Sequence, residues 1–166
     1  MNNVTHLLDT SALLAHYFDE PGADVVEQLW ATGSARPGVS AVTVAELKQR
    51  LGEEMSDSGE AREAADAYLN ELTICLPVDR MVAEFAWQLK EAIAERIPLV
   101  NALIAATARA AGAVLVHRDP HFERIPRTVV DQVMLPLKAG ERGGDQTPQR
   151  TPTPPIARNW VSGNRY

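Results

Sequence analysis

At 166 residues the chain has room for one ordinary domain and a terminal segment, which argues against two full cores. Its hydrophobic content of 45% supplies a buried core, but aromatics are only 5%, so that core must be built from Ala, Val, Leu and Ile. The net charge of −6 is uneven: residues 138–166 carry five Lys/Arg and two Asp/Glu, which leaves −9 on the residues before them. An acidic body binds nucleic acid poorly by itself, because phosphate affinity rests mainly on Lys and Arg. Chemistry on nucleic acid would need metal cations, local arginines or a basic partner. No apolar run approaches the roughly 20 residues of a membrane span. The opening Met1-Asn2-Asn3-Val4-Thr5-His6 lacks the basic and apolar regions of a signal peptide, which suits a cytoplasmic protein. The lone Cys75, inside Leu72-Thr73-Ile74-Cys75-Leu76, reads as a buried, inert thiol.

Taken in order, residues 5–9 form a short apolar strand ending in Asp9, and Thr10-Ser11 can cap a helix over 12–17. Pro21-Gly22 marks a turn, and apolar residues at 25, 26, 29 and 30 give a helix over 23–30. A short strand at 38–40 leads into a helix over 42–54, and an Ala/Glu/Arg-rich helix follows over 58–70. Residues 72–76 form a strand closed by Pro77, and Asp79 caps a helix over 80–95. Pro98 opens a helix over 99–111 and Gly112 stops it. A buried-type strand over 113–117 meets the turn Arg118-Asp119-Pro120, and 128–131 adds an edge strand. This alternation predicts an α/β fold with a parallel, doubly wound sheet. From Lys138 the composition shifts to Gly, Pro, Thr, Gln and Arg, which reads as a disordered tail.

In such a sheet, ligands bind beyond the carboxyl ends of the strands, near the point where strand order reverses. Asp9 and Asp119 follow two different strands, while Glu46 and Asn101 lie in the first turns of two helices. Four oxygen-bearing side chains would converge if both helices begin at that edge. Crowded carboxylates repel unless a cation neutralises them. An all-oxygen set suits Mg²⁺ or Mn²⁺, and His/Cys zinc spacing is missing. Each residue also has a plainer reading. Asp9 can begin a capping turn, Thr43-Val44-Ala45-Glu46 can be a capping box, Asp119-Pro120 an Asx turn, and Asn101 a polar residue on an apolar helix.

The strings around these positions resemble one family. Leu7-Leu8-Asp9-Thr10-Ser11-Ala12-Leu13-Leu14 is similar to the opening of PIN domains, especially VapC-type toxins. Val39-Ser40-Ala41-Val42-Thr43-Val44-Ala45-Glu46-Leu47 resembles the second motif, and Pro98-Leu99-Val100-Asn101-Ala102-Leu103-Ile104 opens a likeness to the third. Gly112-Ala113-Val114-Leu115-Val116-His117-Arg118-Asp119-Pro120-His121-Phe122 resembles the fourth. The resemblance implies a three-layer α/β/α PIN-like domain over residues 1–137, with a mainly parallel sheet of four or five strands. It also implies a Mg²⁺- or Mn²⁺-dependent endoribonuclease, homodimeric and restrained by a cognate antitoxin. Carried over residue by residue, the catalytic set is Asp9, Glu46, Asn101 and Asp119, with the metal on Asp9, Asn101 and Asp119. Ser11 and Thr107 match hydroxyl positions that flank the acids, and Arg118 is placed to touch RNA phosphate. His121 reads as structural, and Phe122 as a plug under the loop. Dimerisation is expected through the apolar faces at 23–30 and 42–54.

The third motif departs from the family, which ordinarily carries Asp where this chain has Asn101. An amide offers a carbonyl oxygen to a metal, but no negative charge and no general base. The expectation is therefore a weakened or silenced nuclease, with a binding module that holds antitoxin or RNA without cutting as the alternative. Other classes fail on the residues. No Gly-rich loop follows the first strand, no Lys lies near Val116 for a phospho-acceptor domain, and Ser11 stands where an Asp-x-Asp phosphatase needs its second acid.

Overall fold

The chain's secondary structure follows its punctuation closely. The computed structural model describes residues 4–32 and 36–138; the predicted tail, from residue 139 on, lies outside them. Strand β1 (His6–Leu8) feeds helix α1 (Thr10–Tyr17), and α2 (Ala23–Thr32) returns the chain to β2 (Gly38–Ser40). Helices α3 (Ala41–Glu54) and α4 (Ser58–Asp66) follow, then a π-helical turn (Ala67–Leu72) and β3 (Ile74–Leu76). Helices α5 (Arg80–Ala92) and α6 (Leu99–Ala111) precede β4 (Val114–His117), a 3₁₀ turn (Pro120–Arg124) and β5 (Gln132–Met134).

The five strands are all parallel, in the order β3-β2-β1-β4-β5. The chain moves outward from β1 to β2 and β3, then crosses back to lay β4 against the other side of β1. Leu7 pairs with Leu115 and Leu8 with Val116, so β1 and β4 end side by side at the reversal of strand order. Alternating side chains divide the core between the two faces of the sheet. Leu8, Val39 and Val116 pack with Leu13, Tyr17, Leu47 and Tyr68 on one face. Leu7 and Leu115 pack with Val82, Leu89, Ile104 and Phe122 on the other. Helix α6 ends where Gly112 adopts φ 62, and its N–H donates back to Ala108 and Arg109; only glycine takes that left-handed turn without strain.

Four expectations are corrected. The cap of α1 is Asp9, not Thr10-Ser11, because its carboxylate accepts the N–H groups of both. The predicted helix over 58–70 divides at Asp66 into α4 and the π-helical turn. Side-chain donors reach two carbonyls of that turn: Thr73 Oγ1 donates to Tyr68 O at 2.8 Å, and Trp30 Nε1 to Leu72 O at 2.8 Å. The last strand lies at Gln132–Met134, since Val129 and Val130 turn back to donate to Pro126 O. Cys75 is exposed, because β3 is an edge strand and Cys75 points off the sheet. No helix among the described residues is long and apolar enough to cross a membrane.

Candidate active site

Asp9 is the first residue beyond β1, and its N–H donates to Val116 O at 3.0 Å, which binds it to the adjacent β4. Its side chain, only 5% exposed as a residue, caps α1. Oδ1 accepts from Thr10 N at 2.7 Å, and Oδ2 accepts from Ser11 Oγ at 2.6 Å and from Ser11 N at 3.3 Å. Asp119 stands two residues beyond β4 and caps the 3₁₀ turn. Its Oδ1 accepts from the His121 N–H at 2.9 Å and lies 2.7 Å from His121 Nδ1. Its Oδ2 accepts from Asn101 Nδ2 at 2.8 Å, which joins the first turn of α6 to the end of β4. Glu46 reaches across from α3, and its Oε2 accepts from Thr10 Oγ1 at 2.9 Å.

The electrostatics separate the two aspartates. Burial pushes the Asp9 carboxyl up from 3.8 to about 6; the Ser11 hydroxyl works against that rise, and the nearby Glu46 and Asp119 carboxylates add to it. Burial also pushes on Asp119. The His121 amide, the Asn101 side chain and the His121 imidazole together outweigh it and hold that carboxyl below its usual value. Asp9 therefore gives up its proton less readily than an ordinary aspartate, and Asp119 more readily.

Ser11 contacts Asp9 directly, but Thr107 does not meet the acids. Its Oγ1 donates to Leu103 O at 2.8 Å and pairs with Ser40 Oγ at 2.9 Å, buried between α6 and the end of β2. Arg118 is also placed elsewhere. Its guanidinium is buried against Glu20 and Pro21 O, at 2.6 and 2.7 Å, so it has no open face for an RNA phosphate. Thr43 and Glu46 form no capping box, because α3 begins at Ala41 with Ser40 as its cap. Thr10 and His121, read from sequence as a helix cap and a structural residue, hold Glu46 and Asp119 respectively. The Thr10–Glu46 contact joins residues 36 apart and has no local signal, whereas His121 lies two residues from Asp119 within the same cap. Phe122 is fully buried beneath the 3₁₀ turn, as expected of a plug.

The family model described as PIN domain matches residues 6–128. The chain belongs to the PIN domain family. Several solved structures share this PIN fold. VapBC2 from Rickettsia felis, bound to a DNA fragment from its promoter, superposes with a TM-score of 0.66 at 19% identity, over 80% of this chain and 100% of that one. VapBC-5 from Mycobacterium tuberculosis, a member of the VapBC family of toxin–antitoxin systems, gives 0.60 at 20% identity, over 79% and 98%. VapC20 from the same organism, a toxin that cleaves the sarcin–ricin loop, gives 0.58 at 19% identity, over 72% and 93%. No curated protein matches the chain.

Within this PIN domain the donor set is oxygen-rich and acidic, which suits a hard divalent cation, and the mutual repulsion felt by Asp9 is what such a cation relieves. Yet no group of three or more His, Cys, Asp or Glu among the described residues is gathered closely enough to hold a metal. Asn101 accounts for part of that shortfall. It supplies no charge, and its amide proton already occupies an oxygen of Asp119. The PIN site therefore fits a cation by chemistry while having fewer acidic ligands than three aspartates would give.

Proposed function

We propose that this chain is a toxin-type PIN endoribonuclease that hydrolyses RNA phosphodiester bonds with Mg²⁺ or Mn²⁺, weakened by Asn101. The observation that carries this reading is geometric: Asp9 and Asp119 follow the adjacent strands β1 and β4, Asn101 bonds Asp119, and Glu46 reaches Thr10 beside Asp9. Asp9, Asp119 and the Asn101 amide oxygen would hold the cation. When bound, it would lower the pKa of a water and stabilise charge on a phosphoryl oxygen. Glu46, anchored by Thr10 through Oε2, keeps Oε1 for orienting water. RNA phosphates would approach an acidic surface, so the cation also serves to admit the substrate.

The partners in this reading are an antitoxin and a second copy of the chain. The antitoxin would place an Arg or Lys among the acids, giving charge-assisted hydrogen bonds in place of the cation. The deciding experiment is cleavage of a panel of structured RNAs with Mn²⁺, by this chain and by Asn101→Asp. The expected result is slow cutting by the native chain and a rate at least about 100-fold higher in the variant, the scale of a lost charge-stabilising group. If neither protein cuts any RNA, the site is a binding module, and the nuclease reading fails.

A further inference from the structure

Glu20 lies in the turn between α1 and α2, outside the acidic site, yet it anchors the segment that carries Asp119. Its Oε2 accepts from Arg118 Nη1 at 2.6 Å, and its Oε1 accepts from Lys138 Nζ at 2.8 Å. The Arg118 and Glu20 side chains are 6% and 18% exposed, so the pair is largely removed from water. Pro21 O takes a second guanidinium proton at 2.7 Å. The turn adopts unusual backbone to reach this place, with φ 51 at Asp19 and φ 93 at Gly22. Gly22 also packs so closely on Leu135 and Pro136 that a Cβ there would lie 3.0 and 3.1 Å from them.

Arg118 faces two ways. Its side chain is held by Glu20, and its backbone N–H donates to Ser11 Oγ at 2.9 Å. A backbone N–H can only donate, so the single hydroxyl proton of Ser11 is free to be given to Asp9 Oδ2, at 2.6 Å. One hydrogen-bonded chain thus runs from the Arg118 amide through Ser11 to Asp9, and Asp119 is the next residue after Arg118. The Arg118 guanidinium is taken up by Glu20 and Pro21 O, so the residue reaches the acidic site through its backbone N–H.

We propose that Glu20 is a positioning residue for the acidic site, fixing the Arg118 backbone against Ser11 and thereby setting the spacing of Asp9 and Asp119. The inference rests on the nuclease reading only for its metal-binding consequence, because the positioning itself is read without activity. The test uses the full chain with Glu20→Gln, Ser11→Ala and the double variant. Amide hydrogen exchange is followed residue by residue, and Mn²⁺ affinity is measured by paramagnetic titration. Glu20→Gln is expected to speed exchange at the Arg118 amide about tenfold more than at the core amides of β1 and β4. It should also weaken Mn²⁺ binding by about 10- to 100-fold, the range for groups that orient metal ligands. Adding Ser11→Ala should weaken it little further, since both act along one chain. Uniformly faster exchange, or unchanged Mn²⁺ affinity in a chain that binds Mn²⁺, overturns the proposal. Absence of Mn²⁺ binding in every protein counts against the nuclease reading instead, and the exchange pattern still decides the role of Glu20. Should Glu20→Gln not fold, Lys138→Gln removes one of the two cations on Glu20 and should give a smaller shift of the same pattern.

Discussion

Asp9 carries the largest electrostatic cost at the site. Its carboxyl titrates near 6 in the folded chain, against 3.8 for an ordinary aspartate. A raised folded value means that the native state binds the proton more tightly than the unfolded chain does. The contribution of Asp9 to stability is therefore highest below 3.8, falls as the pH rises to about 6, and stays low above it. The gap corresponds to about 3 kcal/mol at neutral pH. Asp119, held low by its hydrogen bonds, works in the opposite sense and loses its contribution as acid protonates it. Asp9→Asn should thus stabilise the metal-free protein by about 1–3 kcal/mol at neutral pH, with the gain vanishing near pH 4. Urea unfolding in the presence of a chelator measures both, and equal effects at the two pH values would contradict the origin assigned to the shift. Sequence marks such residues unevenly. An acid at the end of an apolar strand is visible in a local string, so Asp9 and Asp119 stand out. Their partners are not visible, because Thr10 meets Glu46 from 36 residues away and Arg118 meets Ser11 from 107. Arg118 misled for the same reason: adjacency to Asp119 suggested a shared site, but neighbours along an extended chain point opposite ways.

Helix ends with strong punctuation were legible: Pro98 and Gly112 bracket α6, and Asp79 caps α5 through a 2.9 Å bond to the Val82 N–H, whereas the unpunctuated end of α5 falls at Ala92, three residues short of the expected 95. The short edge strands were not, because a run of three residues has too little alternation to fix its register or its exposed face. The π-helical turn was hidden as well, since its stability comes from elsewhere. His16 on α1 bonds Tyr68 Oη at 2.6 Å and also meets Glu27 on α2, so tertiary contacts hold that backbone. The 3₁₀ turn under the site depends on packing in a similar way. Phe122 is fully buried, its ring centroid 4.8 Å from that of His117, and it supports the turn that Asp119 caps. Phe122→Ala should cost about 3–5 kcal/mol, as expected for an aromatic removed from a close-packed core. Urea titration checks the magnitude through a lower midpoint at unchanged slope. A loss under about 1 kcal/mol would mean that the turn collapses into the space and does not rely on the ring.

At the scale of the whole molecule, the architecture was legible because strands alternate with helices. The faces of α2 and α3 expected to meet a second copy are committed inward: Val26, Leu47 and Leu51 are fully buried, and Leu29 and Trp30 pack against the same core. Four of the seven large exposed apolar side chains among the described residues lie on α5 and α6: Met81, Trp87 at 54%, Leu99 at 58% and Val100; on α2 only Val25 is among them. These two helices are bound to each other, with Arg109 lying 4.4 Å over the Phe85 ring, so they offer one rigid surface. A dimer built on it would bury apolar area in both copies and set Leu99 and Val100, which immediately precede Asn101, beside the partner. Such an association should persist in high salt, because screening weakens charge pairs and leaves apolar burial intact. Trp87→Glu places a charge on that surface, and if the native chain dimerises through it, the variant should be a monomer by light scattering at the same concentration. Its unfolding midpoint measured as a monomer should change little, since the side chain is more than half exposed. A native chain that stays monomeric at high concentration would rule out the dimer, and a Trp87→Glu variant that still dimerises would move the interface away from α5 and α6.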